Sequence, residues 1–230
     1  MKYSFGKTVV IALGGSIMHP DEIDVAYLKS FEKFIRKFIK KDFKFVVVVG
    51  GGRLARVFQN AAQEVSALPD EDKDWLGIHS TRLNAHLLRT IFRKVADPVV
   101  IDERGKIKKL KYPVTIASGW VPGWSTDFVA AAIAKDFKVQ EFIVAGKPAF
   151  VYEADPALDK NTKPYQRIGW PAYRKLIPKK WIPGSHAPVD PVAARLSEKA
   201  KLQSIIINGR DLRNFEKLLN GKDFRGTIIG

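Results

Sequence analysis

Along the chain, short runs of uninterrupted apolar residues alternate with longer stretches in which apolar residues recur at helical spacing. Phe45, Val46, Val47, Val48 and Val49 are five apolar residues in a row, four of them β-branched. Such a run reads as a strand covered on both faces, as in the parallel sheets of α/β proteins. Val9, Val10, Ile11, Ala12 and Leu13 form a second. Between them, Leu28, Phe31, Phe34, Ile35, Phe38 and Ile39 predict a packing helix within 24–41, with lysines and arginines as its wet face. Leu54, Ala55, Val57, Phe58, Ala61 and Ala62 predict another helix directly after the Phe45 strand. A strand-helix-strand unit of this kind implies adjacent parallel strands joined by a right-handed crossover.

The same pattern predicts strands at 97–101, 114–117, 141–145 and 204–208, and a charged hairpin over 102–111 that turns at Arg104, Gly105 and Lys106. Helices are expected from about 75 to 95, over 128–134, from 189 onward and near 212–219. An acidic loop at 68–74 precedes the first of these. Residues 146–188 read as one long irregular region, and a connection of that length in a compact protein is more often a lid or binding segment than filler.

Chemistry concentrates where strands end. The Phe45 run passes into Gly50, Gly51, Gly52, Arg53 and Arg56, and the first strand into Gly14, Gly15 and Ser16. In an open parallel sheet both turns lie at the carboxyl edge, where ligands bind. Glycines there let backbone approach a ligand, the amides of the next helix attract an anion, and arginine forks suit phosphate. A tight turn with solvated arginines would need fewer glycines. Ser125, Thr126 and Asp127 open the 128–134 helix, as an N-cap or as an anion site with Asp127 orienting cations or metal. His79 and His86 share a helix face without a carboxylate at matching spacing, so they read as ordinary, partly buried histidines.

The 230 residues, 46% hydrophobic and 27% charged, suffice for a sizeable core. The absence of cysteine excludes disulfides, thiol catalysis and Cys-ligated zinc. No apolar stretch approaches the roughly 20 residues of a membrane span, and the N-terminus runs into a strand and glycine turn, so a cytoplasmic protein is expected. The net charge of +15 suits a polyanion or a small anionic substrate equally. No RNA-binding aromatic motif or zinc finger accompanies it, which makes nucleic acid the minority reading.

Taken in order, the motifs resemble the amino-acid kinase superfamily, and within it uridylate (UMP) kinases of the archaeal kind. They are the turn at Gly14, Gly15 and Ser16; the stretch from Val48 to Arg56; Gly77 and Ile78 with Thr81, Arg82, Leu83, Asn84 and Ala85; Pro122 to Ala131; Val151 to Pro156; Val189 to Arg195; and Gly226 to Ile229. The resemblance implies a three-layer αβα sandwich around a central, mostly parallel sheet. It further implies a single domain over 1–230, with an acceptor-binding lobe at about 1–140 and a donor-binding lobe at about 141–230, assembled as a homo-oligomer, usually a hexamer. The implied reaction is Mg²⁺-dependent phosphoryl transfer from ATP to UMP, a step of pyrimidine nucleotide synthesis.

Position by position, the resemblance implies that Gly51, Gly52 and Arg56 hold the α-phosphate of UMP and that Asp74 accepts its ribose hydroxyls. Gly119, Trp120, Ser125 and Thr126 would surround the nucleotide, with Trp120 where a threonine commonly reads uracil. Gly14, Gly15 and Ser16 would cradle the ATP phosphates, with Tyr152 and Asp155 completing the donor site. Arg53, Asp127 and Asp190 would be catalytic, Asp127 also acting on Mg²⁺ indirectly. The chain departs from the family at Gly146, Lys147, Pro148, Ala149 and Phe150, where an acid and a glycine are usual and where Pro148 removes a backbone donor. Three other readings stay open: a different small phosphate acceptor, a non-catalytic nucleotide-binding member with a degenerate donor site, and a polyanion-binding module.

Overall fold

The computed structural model describes residues 1–154, 159, 161–181 and 187–230. Its elements are β1 (Thr8–Leu13), α1 (Gly15–Met18), α2 (Val25–Ile39), β2 (Lys44–Val49), α3 (Gly52–Val65), α4 (Asp70–Ile91), β3 (Val114–Ala117), α5 (Thr126–Asp136) and β4 (Glu141–Gly146). They continue with β5 (Val151–Tyr152), β6 (Pro164–Tyr165), β7 (Arg167–Ile168), α6 (Trp170–Leu176), α7 (Pro191–Ala200), β8 (Gln203–Asn208), α8 (Leu212–Leu219) and β9 (Thr227–Ile229). Seven strands form one sheet in the order β3-β2-β1-β4-β8-β9-β7, parallel except where β9 runs antiparallel to β8.

Strand alternation sorts the core into two layers, because successive side chains point to opposite faces. Val9, Ile11, Leu13, Phe45, Val47 and Val49 pack with the phenylalanines of α2 and with Phe215 of α8. Val10, Ala12, Val46 and Val48 pack on the other face with the small residues of α5 and with Ala193 and Ala194 of α7. Helices therefore cover both faces of a mostly parallel sheet: a three-layer αβα sandwich.

Three local expectations change. Helix α4 starts at Asp70, not near residue 75, so the acidic residues lie inside it; Asp70, Glu71 and Asp72 occupy its first turn, where they complement the positive end of the helix dipole. Residues 97–101 make only the isolated bridge Ile101–Ala117, with Ala96–Val114 just before them, and the 102–111 segment is turns instead of a hairpin. Asp97 turns its carboxylate onto the Val99 amide at 2.9 Å and Pro98 has no amide to donate, so the backbone bends out of ladder geometry. The segment expected to be irregular holds β5, β6, β7 and α6 among its described residues. The two histidines on α4 are exposed.

Candidate active site

The carboxyl ends of β1, β2, β3 and β4 converge on a cleft of about 780 Å³. Its rim carries Gly14, Gly15 and Ser16 after β1, Gly51 and Gly52 after β2, Gly119 after β3, and Gly146, Lys147 and Pro148 at the end of β4.

The glycine turns are there partly to fit each other. A Cβ on Gly15 would stand 2.1 Å from the Gly52 nitrogen, one on Gly50 would stand 2.5 Å from the Gly15 nitrogen, and one on Gly52 would stand 2.5 Å from the Gly15 oxygen. Gly52 also has a φ of 65°, the left-handed region that favours glycine. The backbones thus interlock, and the run of glycines that suggested ligand approach also fixes one turn against the other.

Helix α4 clamps the remaining loops. Buried Asn84 donates from Nδ2 to the carbonyls of Gly50 at 2.9 Å and Gly51 at 3.0 Å. One turn earlier, Thr81 Oγ1 accepts the Gly119 amide at 2.8 Å while donating to Ile78 O at 2.6 Å. Asp74, nearer the start of α4, lines the cleft; its Oδ2 accepts the Gly123 amide at 2.7 Å and the indole N–H of Trp181 at 3.2 Å.

At the start of α5, Ser125 Oγ accepts the amides of Asp127 at 3.1 Å and Phe128 at 3.0 Å and donates to Asp190 Oδ2. Asp190 in turn caps α7, its Oδ1 accepting the amides of Val192 at 2.7 Å and Ala193 at 3.0 Å. Tyr173 fixes the residue before it, donating to Val189 O and accepting the Val189 amide, both at 2.7 Å. Burial pushes the Asp127 carboxyl well above the usual carboxylate range, and the charge of Asp190 adds to it. Burial likewise raises Asp190, against the pull of Ser125 and the two α7 amides. Asp127 opens onto the cleft; Asp190, engaged by three donors, backs Ser125 from behind.

Gly14, Gly15, Ser16, Gly51, Gly52, Arg56, Asp74, Gly119, Ser125, Thr126 and Asp127 thus share one cleft. Four expected site residues lie elsewhere. Asp190, expected to be catalytic, is 3% exposed and stands behind Ser125 as the cap of α7 instead of lining the cleft. Trp120 is 3% exposed, in the hydrophobic layer with Ala117 and Phe128, its indole donating to Ile101 O at 3.2 Å. Arg53, half-exposed, reaches Asp21 at 3.4 Å on the outside of α3, whereas Arg56 lies on the cleft side of the same helix. Tyr152 belongs to the small β5–β6 ribbon, against Phe150. Asp155 lies outside the described residues. The cleft also holds residues that sequence reasoning did not assign a role: Gln59, Trp124, Trp181 and Lys147. Lys147 and Arg56 are its two cations among the described lining residues. Only the departure of the 146–150 segment from the family pattern drew attention to Lys147.

The amino acid kinase family model matches residues 7–208. The chain is 34% identical to the uridylate kinase of Thermococcus sibiricus, over 96% of this chain and 98% of that one. It is 32% identical to the uridylate kinase of Methanocorpusculum labreanum, over 96% and 95%. The crystal structure of uridylate kinase from Archaeoglobus fulgidus superposes with a TM-score of 0.82 at 31% identity, covering 100% of both chains. The UMP kinase of Bacillus anthracis has the same fold at 16% identity, with a TM-score of 0.75 over 97% and 96%.

Proposed function

The chain belongs to the amino acid kinase family, and from that premise we propose that it transfers the γ-phosphoryl group of ATP to UMP, releasing UDP and ADP. The observation that carries this reading is the joining of both glycine turns and the hydroxyl-bearing start of α5 in a single cleft, beside relatives that are uridylate kinases.

The amides of Gly51 and Gly52 at the start of α3, with the Arg56 guanidinium, suit the phosphate of UMP. Asp74 accepts ribose hydroxyls, and Gly119, Ser125 and Thr126 border the nucleoside. At the end of β1, Gly14, Gly15 and Ser16 face the triphosphate, and Lys147, after β4, supplies the positive charge of the donor loop. We infer a mainly acceptor-binding part at about 1–140, to which the Gly14–Ser16 turn adds a donor contact, and a donor-binding part at about 141–230. A phosphate oxygen of UMP attacks the γ-phosphorus as the bond to the β-γ bridging oxygen of ATP breaks, so no proton has to move. The residues align donor and acceptor and neutralise charge on the equatorial oxygens.

Mg²⁺ fits as a nucleotide-bound ion instead of one in a protein cage. The described residues hold no cluster of three or more metal-binding side chains, while Asp127 offers one carboxyl to the cleft. Mg²⁺ bound with ATP would neutralise charge between the phosphates, and Asp127 would hold it or its hydration shell on the donor side.

We also assign self-association to the chain, the hexamer of the family resemblance included, and a cytoplasmic location. Helix α3 buries none of its residues; Val57, Phe58 and Val65 are exposed on it, as is Leu83 on the neighbouring α4. An apolar face of this kind on an otherwise well-packed chain suits a second copy. No described helix is long and apolar enough to cross a membrane. The catalytic reading is tested by following ADP release from Mg-ATP with UMP, CMP, AMP and GMP as acceptors. UMP is expected to be used best, and a stronger preference for another monophosphate would overturn the assignment.

A further inference from the structure

The contact between Trp181 and Asp74 bears on how the acceptor's sugar is read. The two residues are 107 positions apart, Trp181 on the connection after α6 and Asp74 on α4, and both line the cleft. The indole N–H and the Gly123 amide converge on the same carboxylate oxygen, Oδ2, at 3.2 and 2.7 Å. Among the described residues no donor reaches Oδ1. A carboxylate held twice on one oxygen cannot swivel, and its second oxygen keeps its lone pairs for a ligand hydroxyl.

We propose that Trp181 is a positioning residue for sugar recognition: by holding Asp74 Oδ2 together with the Gly123 amide, it presents Oδ1 to the ribose 2′-hydroxyl and sets the preference for ribonucleotide over deoxyribonucleotide. This rests on the reading of Asp74 as the hydroxyl acceptor. Discrimination of this type is large when a site is built to hydrogen-bond a substrate hydroxyl, because the analogue lacking it leaves a buried polar group unpaired. Trp181 acts through the carboxylate, so its loss is felt in binding of the hydroxylated sugar and not in the transfer step.

The experiment compares UMP with 2′-deoxy-UMP as acceptors for the parent, Trp181→Phe, Trp181→Tyr and Asp74→Asn. Trp181→Phe keeps an apolar ring but removes the donor. It is expected to raise KM for UMP about tenfold, the cost of one hydrogen bond to a charged group, with kcat within about twofold and KM for 2′-deoxy-UMP nearly unchanged. Trp181→Tyr, which regains a donor through its hydroxyl, is expected to keep more of the preference than Trp181→Phe. If Asp74→Asn leaves the preference intact, the hydroxyl-acceptor reading of Asp74 fails. If Asp74→Asn erodes it and Trp181→Phe does not, the role of Trp181 alone fails. Tighter UMP binding by Trp181→Phe would show the indole competing for the carboxylate, which also overturns the proposal.

Discussion

Replacing Gly15 by alanine tests the interlock of the two glycine turns. The added Cβ would lie 2.1 Å from the Gly52 nitrogen and 2.6 Å from the Gly50 carbonyl carbon and oxygen, roughly 1 Å or more inside the ~3.5 Å optimum for a non-bonded pair. All three neighbours are backbone, so no rotamer change relieves the overlap and the turns must part. Overpacking costs typically about 1–3 kcal/mol, and a rigid backbone neighbour puts this case at the upper end. For a chain of this size ~3 kcal/mol is a loss of about 6–12 °C in Tm. Gly14→Ala is the internal control: its Cβ would meet Ala145 O at 3.4 Å and Gly146 Cα at 3.6 Å, ordinary contacts, and its φ of −57° suits alanine. Scanning calorimetry of both variants, with circular dichroism to confirm folding, separates the cases. Gly15→Ala with the parent's Tm would refute the interlock; Gly14→Ala as damaging as Gly15→Ala would show that any added methyl in the turn is disruptive.

Ser125→Ala removes the cap of α5 and the donor to Asp190 together, and is expected to cost about 1–2 kcal/mol, read as a Tm lower by about 2–8 °C. Asp127→Asn is expected to abolish turnover yet to raise Tm near pH 8 by about 2–6 °C. The sign follows from a folded-state pKa above the unfolded one: the native protein favours neutral Asp127, and that contribution is present below the ordinary carboxylate range and lost as pH rises. The gain should therefore vanish near pH 4, and an equal gain at both pH values would contradict burial of the charged carboxylate as its cause. Arg56→Ala is expected to weaken UMP binding by at most about 3 kcal/mol with unchanged Tm, measured calorimetrically; unchanged affinity would remove Arg56 from the phosphate site. Phe58→Glu places a charge on the exposed face of α3 and is expected to lower the oligomeric mass by sedimentation equilibrium; a parent-like mass would move the interface elsewhere.

The sheet was legible because its strands are written as β-branched runs buried on both faces, a pattern few other structures tolerate. The cleft was legible because two of those runs end in glycines and because a serine, threonine and aspartate open a helix after the loop that follows a third. The orientation of neighbouring residues was not. Trp120, Trp124 and Trp181 look alike in composition, yet the first fills the core while the other two line the cleft. Arg53 and Arg56 diverge in the same way, three positions apart on one helix. Which of such neighbours faces a ligand is set by long-range packing, in this chain by a connection after α6 whose Trp181 meets α4 107 positions away. The start of α4 was misplaced for a different reason: acidic residues suit both a solvated loop and a helix's first turn, and only Pro69 as the extended N-cap separates the two.

The central claim is phosphoryl transfer across this cleft, with a donor loop, 146–150, in which Pro148 has no backbone N–H to offer. Its most direct test is the fate of γ-labelled ATP incubated with UMP, Mg²⁺ and the protein, alongside calorimetric binding of each nucleotide alone. Label appearing in UDP, and disappearing with Asp127→Asn, is the expected result. Binding of ATP and UMP without label in UDP would contradict it, leaving a fold that holds both nucleotides and joins nothing between them.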